Sequence, residues 1–174
     1  MQLDLTRYRH PLDHVSKTFR ADEVDREGEA YRVVAPVELE FDIHKDKSRF
    51  RLVGHTRTTL ELACSRCAEP FRMPVDASFD LRYVPASEMA TEDDREVGAG
   101  DLEISYYRDD VIDLGELMRE QFYLALPMKP LCAEACKGLC PQCGTNLNTG
   151  ACACTPAWED PRLAPLKALA REVQ

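Results

Sequence analysis

Eight cysteines stand in two groups along the 174-residue chain: Cys64 and Cys67, then Cys132, Cys136, Cys140, Cys143, Cys152 and Cys154. In Cys64-Ser65-Arg66-Cys67 and in Cys140-Pro141-Gln142-Cys143, two residues separate the cysteines. That spacing lets both sulfurs turn toward one point while backbone amides donate to the thiolates, and a tetrahedral zinc site takes two such pairs. Pro141 and Gly144 suit a tight metal-binding turn, glycine because it enters conformations other residues avoid. Met1–Arg7 lacks the basic-then-apolar pattern of a secretory leader, so a cytoplasmic protein is expected, with thiolates or metal ligands rather than disulfides.

Six cysteines within the 23 residues 132–154, a stretch poor in apolar groups, imply a segment ordered by metal rather than by a core. Two partitions of the ligands are open. One places Cys140, Cys143, Cys152 and Cys154 on one zinc, and Cys64, Cys67, Cys132 and Cys136 on a second that ties a hairpin to the tail. The other draws one zinc from the six tail cysteines and leaves Cys64 and Cys67 as a free dithiol. A closed four-thiolate site has no position for water, so the cysteines are expected to be structural. A redox or zinc-dependent enzyme or sensor built on Cys64 and Cys67 is the alternative. Against it, the pair follows a hairpin strand instead of opening a helix in a βαβ unit.

Other chemistry is sparse. His10, His14, His44 and His55 stand near no nucleophile in sequence, and no Gly-rich phosphate loop, nucleophile elbow or zinc-hydrolase motif occurs. A non-enzymatic protein is expected. The net charge of −9 excludes a uniformly basic nucleic-acid binder. Residues 86–121 hold 3 Lys+Arg against 12 Asp+Glu, which is the whole excess. Its densest part includes Glu92, Asp93, Asp94 and Glu96. It reads as a solvated acidic loop, or as a surface that docks a basic partner through long-range attraction. Between Cys132 and Cys154 there is no aromatic on which a single-stranded RNA base could stack.

The elements that must hold these residues are mostly strands. Apolar residues alternate through Tyr31, Val33, Ala35, Val37, Leu39, Phe41 and Ile43, a period of two that predicts one half-buried strand. After a turn at His44–Lys47 the alternation restarts at Phe50, Leu52, Leu60 and Leu62, and a third run covers Phe71 to Tyr83. Pairing around that turn sets Asp42 opposite Arg49 and Glu40 opposite Arg51, which favours a solvated face over a phosphate-binding stripe of Arg49, Arg51 and Arg57. Pro74 implies an edge position or a bulge. Residues 102–107 add a short fourth strand. Asp113 predicts a helix N-cap, with Glu116 three residues on and Ile112 as the staple residue. Leu114, Leu117, Met118, Phe122 and Ala125 form its apolar face, and Pro127 ends it. Asp160-Pro161 opens a last short helix that buries Leu163, Leu166 and Leu169. No run of eighteen apolar residues is present, so no membrane-spanning helix is expected.

The expected fold is therefore α+β: an antiparallel sheet of mainly three to four strands, a packed helix and a cysteine-rich zinc-binding C-terminal segment. Residues 1–130 form the sheet domain, with the acidic loop at about 86–101 and the helix at about 113–126. Residues 131–174 carry the zinc-binding cluster and the last helix.

Cys64-Ser65-Arg66-Cys67-Ala68-Glu69-Pro70-Phe71 resembles the CxRCxxPF signature of the YceD family of large ribosomal RNA subunit accumulation proteins. The tail resembles it too: Leu126-Pro127, Cys136-Lys137-Gly138-Leu139-Cys140-Pro141-Gln142-Cys143-Gly144, Asn146-Leu147-Asn148, Cys152-Ala153-Cys154 and Asp160-Pro161-Arg162-Leu163. The resemblance spans roughly residues 30–170. It implies a ribosome-biogenesis factor for large-subunit ribosomal RNA, with a basic large-subunit ribosomal protein or a pre-ribosomal particle as partner and direct ribosomal RNA contact as the variant.

Overall fold

The computed structural model describes residues 1–88 and 104–154. Along them run β1 (Gln2–Asp4), β2 (Leu12–Phe19), α1 (Ala21–Val24), β3 (Arg32–Val33), β4 (Val37–Asp46), β5 (Arg49–Ala63), β6 (Pro70–Pro85), β7 (Ile104–Tyr107), β8 (Val111–Asp113) and α2 (Leu114–Ala125). Alternation builds the main sheet. Val37, Leu39, Phe41 and Ile43 of β4 are fully buried, and Leu52, Thr56 and Leu60 of β5 lie on the same inner face. The strand order is β2-β4-β5-β6-β7, and β3 continues the line of β4 along the far end of β5.

This six-stranded sheet is larger than the three to four strands expected. β2 escapes a periodicity reading because Val15 is its one buried residue. The run from Tyr31 to Ile43 is two strands, not one. Pro36 lies between β3 and β4, where a residue without an N–H cannot donate to the ladder. Both pieces still pair with β5.

The β4–β5 register also corrects the expected pairing. Lys47 and Ser48 alone make the turn, with Lys47 at φ 56°, so Asp46 faces Arg49 and His44 faces Arg51. Asp42 faces Val53 and Glu40 faces His55. The expected register is wrong by four residues. An even shift leaves every side chain on its own face, so the inner and outer assignments survive. Gly54 is required by this geometry: a Cβ there would collide with the Glu40 carbonyl oxygen and with Phe41 Cβ.

The fourth strand is present as β7, but it runs parallel to β6 rather than antiparallel. A parallel neighbour cannot be reached by a tight hairpin, and residues 86–103 separate the two strands in sequence. Pro74 sits opposite Thr59 in an unbroken register, on a part of β6 whose one strand partner among the described residues is β5. That is an edge position, with no bulge.

Asp113 caps α2 by accepting from the amides of Gly115 at 2.8 Å and Glu116 at 3.3 Å. Leu114, Leu117, Met118 and Phe122 are buried; Ala125, expected on the same face, is exposed. Phe122 meets Tyr31 edge to face, with ring centroids 5.9 Å apart. Leu3 of β1 and Ile112 of β8 join the same core. The helix at Asp160-Pro161 with Leu163, Leu166 and Leu169, and the acidic residues Glu92, Asp93, Asp94 and Glu96, lie outside the described residues. No described helix is long and apolar enough to cross a membrane.

Candidate metal centre

The connection from β5 to β6 is a tight knuckle. Cys64 N donates to the Glu69 carbonyl and Ala68 N to the Cys64 carbonyl, both at 2.9 Å, with Ala68 at φ 60°. This turn aims Cys64 and Cys67 back toward the chain that follows α2. Ser65 N donates to the Pro130 carbonyl at 2.8 Å and Leu139 N to the Arg66 carbonyl at 3.1 Å, which lays residues 130–139 along the knuckle.

Four sulfurs converge there. Cys64 Sγ lies 3.8 Å from Cys136 Sγ, and Cys67 Sγ lies 3.7 Å from Cys132 Sγ. All four are within 4.8 Å of one another. A tetrahedron with zinc–sulfur bonds of about 2.3 Å has edges of about 3.8 Å, whereas a disulfide brings its sulfurs to about 2.05 Å. None of the eight cysteines is in a disulfide. The donor set and spacing fit a divalent thiophilic cation. Cys64, Cys67 and Cys136 are buried and Cys132 is exposed. We call this the hairpin cluster.

Cys140, Cys143, Cys152 and Cys154 form the tail cluster, their sulfurs likewise within 4.8 Å of one another. Cys140 is buried, Cys152 half-buried, and Cys143 and Cys154 exposed. Gly144 N donates to the Cys140 carbonyl at 2.9 Å, and Cys140 N to the Thr145 carbonyl at 2.8 Å. Gly144 takes φ 73°, as a turn of this kind requires. The structure thus brings together two sets of four, and Cys64 and Cys67 stand with Cys132 and Cys136 rather than as an isolated pair.

Electrostatics within each set are uneven. Backbone amides of Cys132, Cys67 and Arg66 hold the Cys64 thiol down at about 6, while its proximity to Cys136 pushes Cys132 up to about 12. Thr145, through its hydroxyl and then its amide, draws Cys143 down to about 6; Cys143 in turn pushes Cys154 up to about 12. Close thiolates repel one another, and a dication removes that repulsion by displacing the protons they share.

Three residues that the spacing argument passed over organise the clusters. Arg66 Nη1 donates to the carbonyls of Cys136 at 2.9 Å and Glu134 at 3.1 Å. Asn148 Nδ2 donates to Cys136 Sγ at 3.3 Å. Asn146 Nδ2 donates to Glu69 Oε1 at 3.3 Å, reaching from the tail loop to the knuckle. The signal was the position of these side chains inside cysteine motifs, where a polar residue has a carbonyl or thiolate within reach.

Among the described residues, the outer sheet face offers no comparable site. Arg49 pairs with Glu88, Arg51 with Asp80 and Arg57 with Asp76. His14 lies between Asp42 and Glu40, and His55 beside Glu40.

Residues 52–170 match the family described as large ribosomal RNA subunit accumulation protein YceD. The chain is 34% identical over 155 residues to a maize protein named large ribosomal RNA subunit accumulation protein YCED homolog 1, chloroplastic, a match covering 76% of this chain and 53% of the maize protein. It is 29% identical over 160 residues to the Arabidopsis thaliana protein of the same name, covering 80% of this chain and 50% of that protein. An uncharacterised protein of Mycobacterium tuberculosis is 36% identical over 87 residues, 48% of this chain and 38% of that one. The chain thus spans about half the length of the plant relatives it matches. No solved structure matches it.

Proposed function

The chain belongs to the YceD family, and from that premise we propose that it is a non-enzymatic ribosome-biogenesis factor supporting the synthesis, processing or stability of large-subunit (23S) ribosomal RNA. The observation that carries this reading is that one stretch, residues 52–170, holds the family match and all eight cysteines of the two clusters. Each cluster holds one Zn2+ in this reading. Four converging thiolates leave such an ion no open position for water, so it fastens the tail to the knuckle and presents a fixed surface. The protein is a binding module.

The partner is a basic large-subunit ribosomal protein, free or on a pre-ribosomal particle. The acidic connection with Glu92, Asp93, Asp94 and Glu96 is the docking element, and its charge suits a lysine- and arginine-rich surface. Direct ribosomal RNA contact through the sheet is less favoured, because Arg49, Arg51 and Arg57 already have carboxylate partners. Action in the cytoplasm accords with eight cysteines that form no disulfide, a state that a reducing compartment preserves.

Depletion of the protein from cells, with mature and precursor 23S RNA measured against 16S, tests the reading. A selective fall in 23S supports it, and an unchanged ratio overturns it. Affinity purification of the tagged chain in mild salt then separates the partners: basic large-subunit proteins for the favoured version, RNA alone for the other.

A further inference from the structure

The tail loop between Cys143 and Cys152 does more than close its own cluster. Both ends of the loop are cysteines of the tail cluster, yet its middle reaches across to the hairpin cluster. Leu147 N donates to the Gly138 carbonyl at 2.9 Å, and Leu139 bridges Asn146. Asn148 sits at the crossing. Its Oδ1 accepts from the backbone amide of Lys137 at 2.8 Å. A backbone N–H can only donate, so this bond fixes the orientation of the side-chain amide and turns Nδ2 toward sulfur. The two Nδ2 hydrogens then serve Cys136 Sγ at 3.3 Å and Asn146 Oδ1 at 2.9 Å.

We propose that Asn148 is a positioning residue that couples the two four-cysteine clusters, so that metal in the tail cluster strengthens metal-holding by the hairpin cluster. The physical argument has two steps. Metal at Cys140, Cys143, Cys152 and Cys154 fixes both ends of residues 144–151, and the ordering entropy of the loop is met there rather than at Cys136. The preset N–H of Asn148 then donates to the Cys136 thiolate, and a hydrogen bond of this kind to a ligand atom holds it in position and offsets part of its charge. Without metal in the tail cluster the same bond must order the loop itself. The coupling is reciprocal, because linkage makes each site raise the affinity of the other by the same factor.

This proposal rests on both clusters holding metal, and the test separates the two ideas. The full chain is titrated with Co2+, whose thiolate charge-transfer absorption reports each cluster. The hairpin cluster is read alone in C143S/C154S, and the tail cluster alone in C64S/C67S. In C143S/C154S the hairpin cluster should bind Co2+ about tenfold more weakly than in the parent, the low end of the range for outer-sphere partners. Asn148→Ala in the intact chain should produce the same loss, and adding it to C143S/C154S should produce no more. Asn148→Asp keeps an acceptor for Lys137 N but places an oxygen against Cys136 Sγ, so it should weaken binding further than alanine does. In Asn148→Ala the charge-transfer band of the hairpin cluster should move to longer wavelength as the sulfur loses its hydrogen bond. Two Co2+ per parent chain with hairpin-cluster affinity unchanged in Asn148→Ala overturns the coupling alone. Fewer than two Co2+ per parent chain overturns the coupling together with the metal reading.

Discussion

Arg66 holds the backbone of Cys136 through its guanidinium, Nη1 donating to the Cys136 carbonyl at 2.9 Å and to the Glu134 carbonyl at 3.1 Å. The residue between two thiolates of one pair thereby fixes the turn that delivers a ligand from the other pair. Its own carbonyl accepts from Leu139 N at 3.1 Å, and a Cβ on Gly138 would lie 3.1 Å from that oxygen. One residue fastens knuckle to tail from both its side chain and its main chain.

Arg66→Lys should therefore be a costly exchange. Both bonds leave from the terminal Nη1 of a planar guanidinium. A lysine ammonium stands nearer the backbone on a flexible stem and cannot put its donors at that point without giving up one of the two carbonyls. We expect release of metal from the hairpin cluster to a competing chelator to become about tenfold faster or more, as for other outer-sphere partners of metal ligands. The unfolding temperature of the sheet should move little. Chelator competition followed by absorbance checks the first expectation, and circular dichroism melting the second.

Chelation of the parent chain should open residues 132–154 while leaving the sheet intact, since the tail contributes only the cysteine-knuckle contacts to the packed interior. Lys137 reports the change. Its side chain is exposed, but its amide is tied to Asn148, so trypsin should cut after Lys137 only when metal is withdrawn. Mass spectrometry of a timed digest, with and without chelator, shows the outcome. A tail that resists trypsin equally in both conditions rules out ordering by metal.

The strands with strict alternation were legible because burial on one face imposes a period of two, and β4 and β5 show it at nearly every position. What stayed hidden has physical reasons. β2 is an edge strand with a polar inner face at Asp13 and Lys17, so it carries no clean period. The β4–β5 register depends on where the chain turns. A four-residue turn and a two-residue turn differ by an even shift that hydrophobic pattern cannot distinguish. Spacing and count offered these two cysteine sets as one of two partitions, and only the fold, which lays residues 130–139 along the knuckle, groups the sulfurs this way. Arg66, Asn146 and Asn148 were not legible, because their roles depend on which carbonyl or sulfur the folded loop brings near.

Gly54 offers a test of the register itself. It lies between Phe41 on β4 and Phe79 on β6, whose rings approach to 6.3 Å between centroids. Gly54→Ala would force its new methyl against the Glu40 carbonyl and Phe41, backbone and Cβ atoms that cannot swing away. Overpacking of this kind costs about 1–3 kcal/mol. Urea unfolding should show a lower midpoint with an unchanged slope, while metal content per folded chain stays at the parent value. A neutral Gly54→Ala would mean that Gly54 does not face Phe41.

The acidic connection gives the prediction closest to function. Residues 86–121 carry the whole net charge of −9, and the rest of the chain balances. Exposed charges act over roughly 8 Å at physiological ionic strength, so attraction of a basic partner should weaken steadily as salt rises. Replacing Glu92, Asp93, Asp94 and Glu96 with their amides should slow association with purified basic large-subunit proteins and flatten its salt dependence. Dissociation should change less, because steering acts on the encounter. The two cysteine clusters should be unaffected in the same variant, which separates docking from folding. Stopped-flow or surface-binding kinetics across a salt series reads these rates directly. Equal association rates for the parent and the quadruple variant would reduce the segment to a crossover between β6 and β7. A steep salt slope for ribosomal RNA, with no binding of basic proteins, would move the function to the direct-RNA version instead.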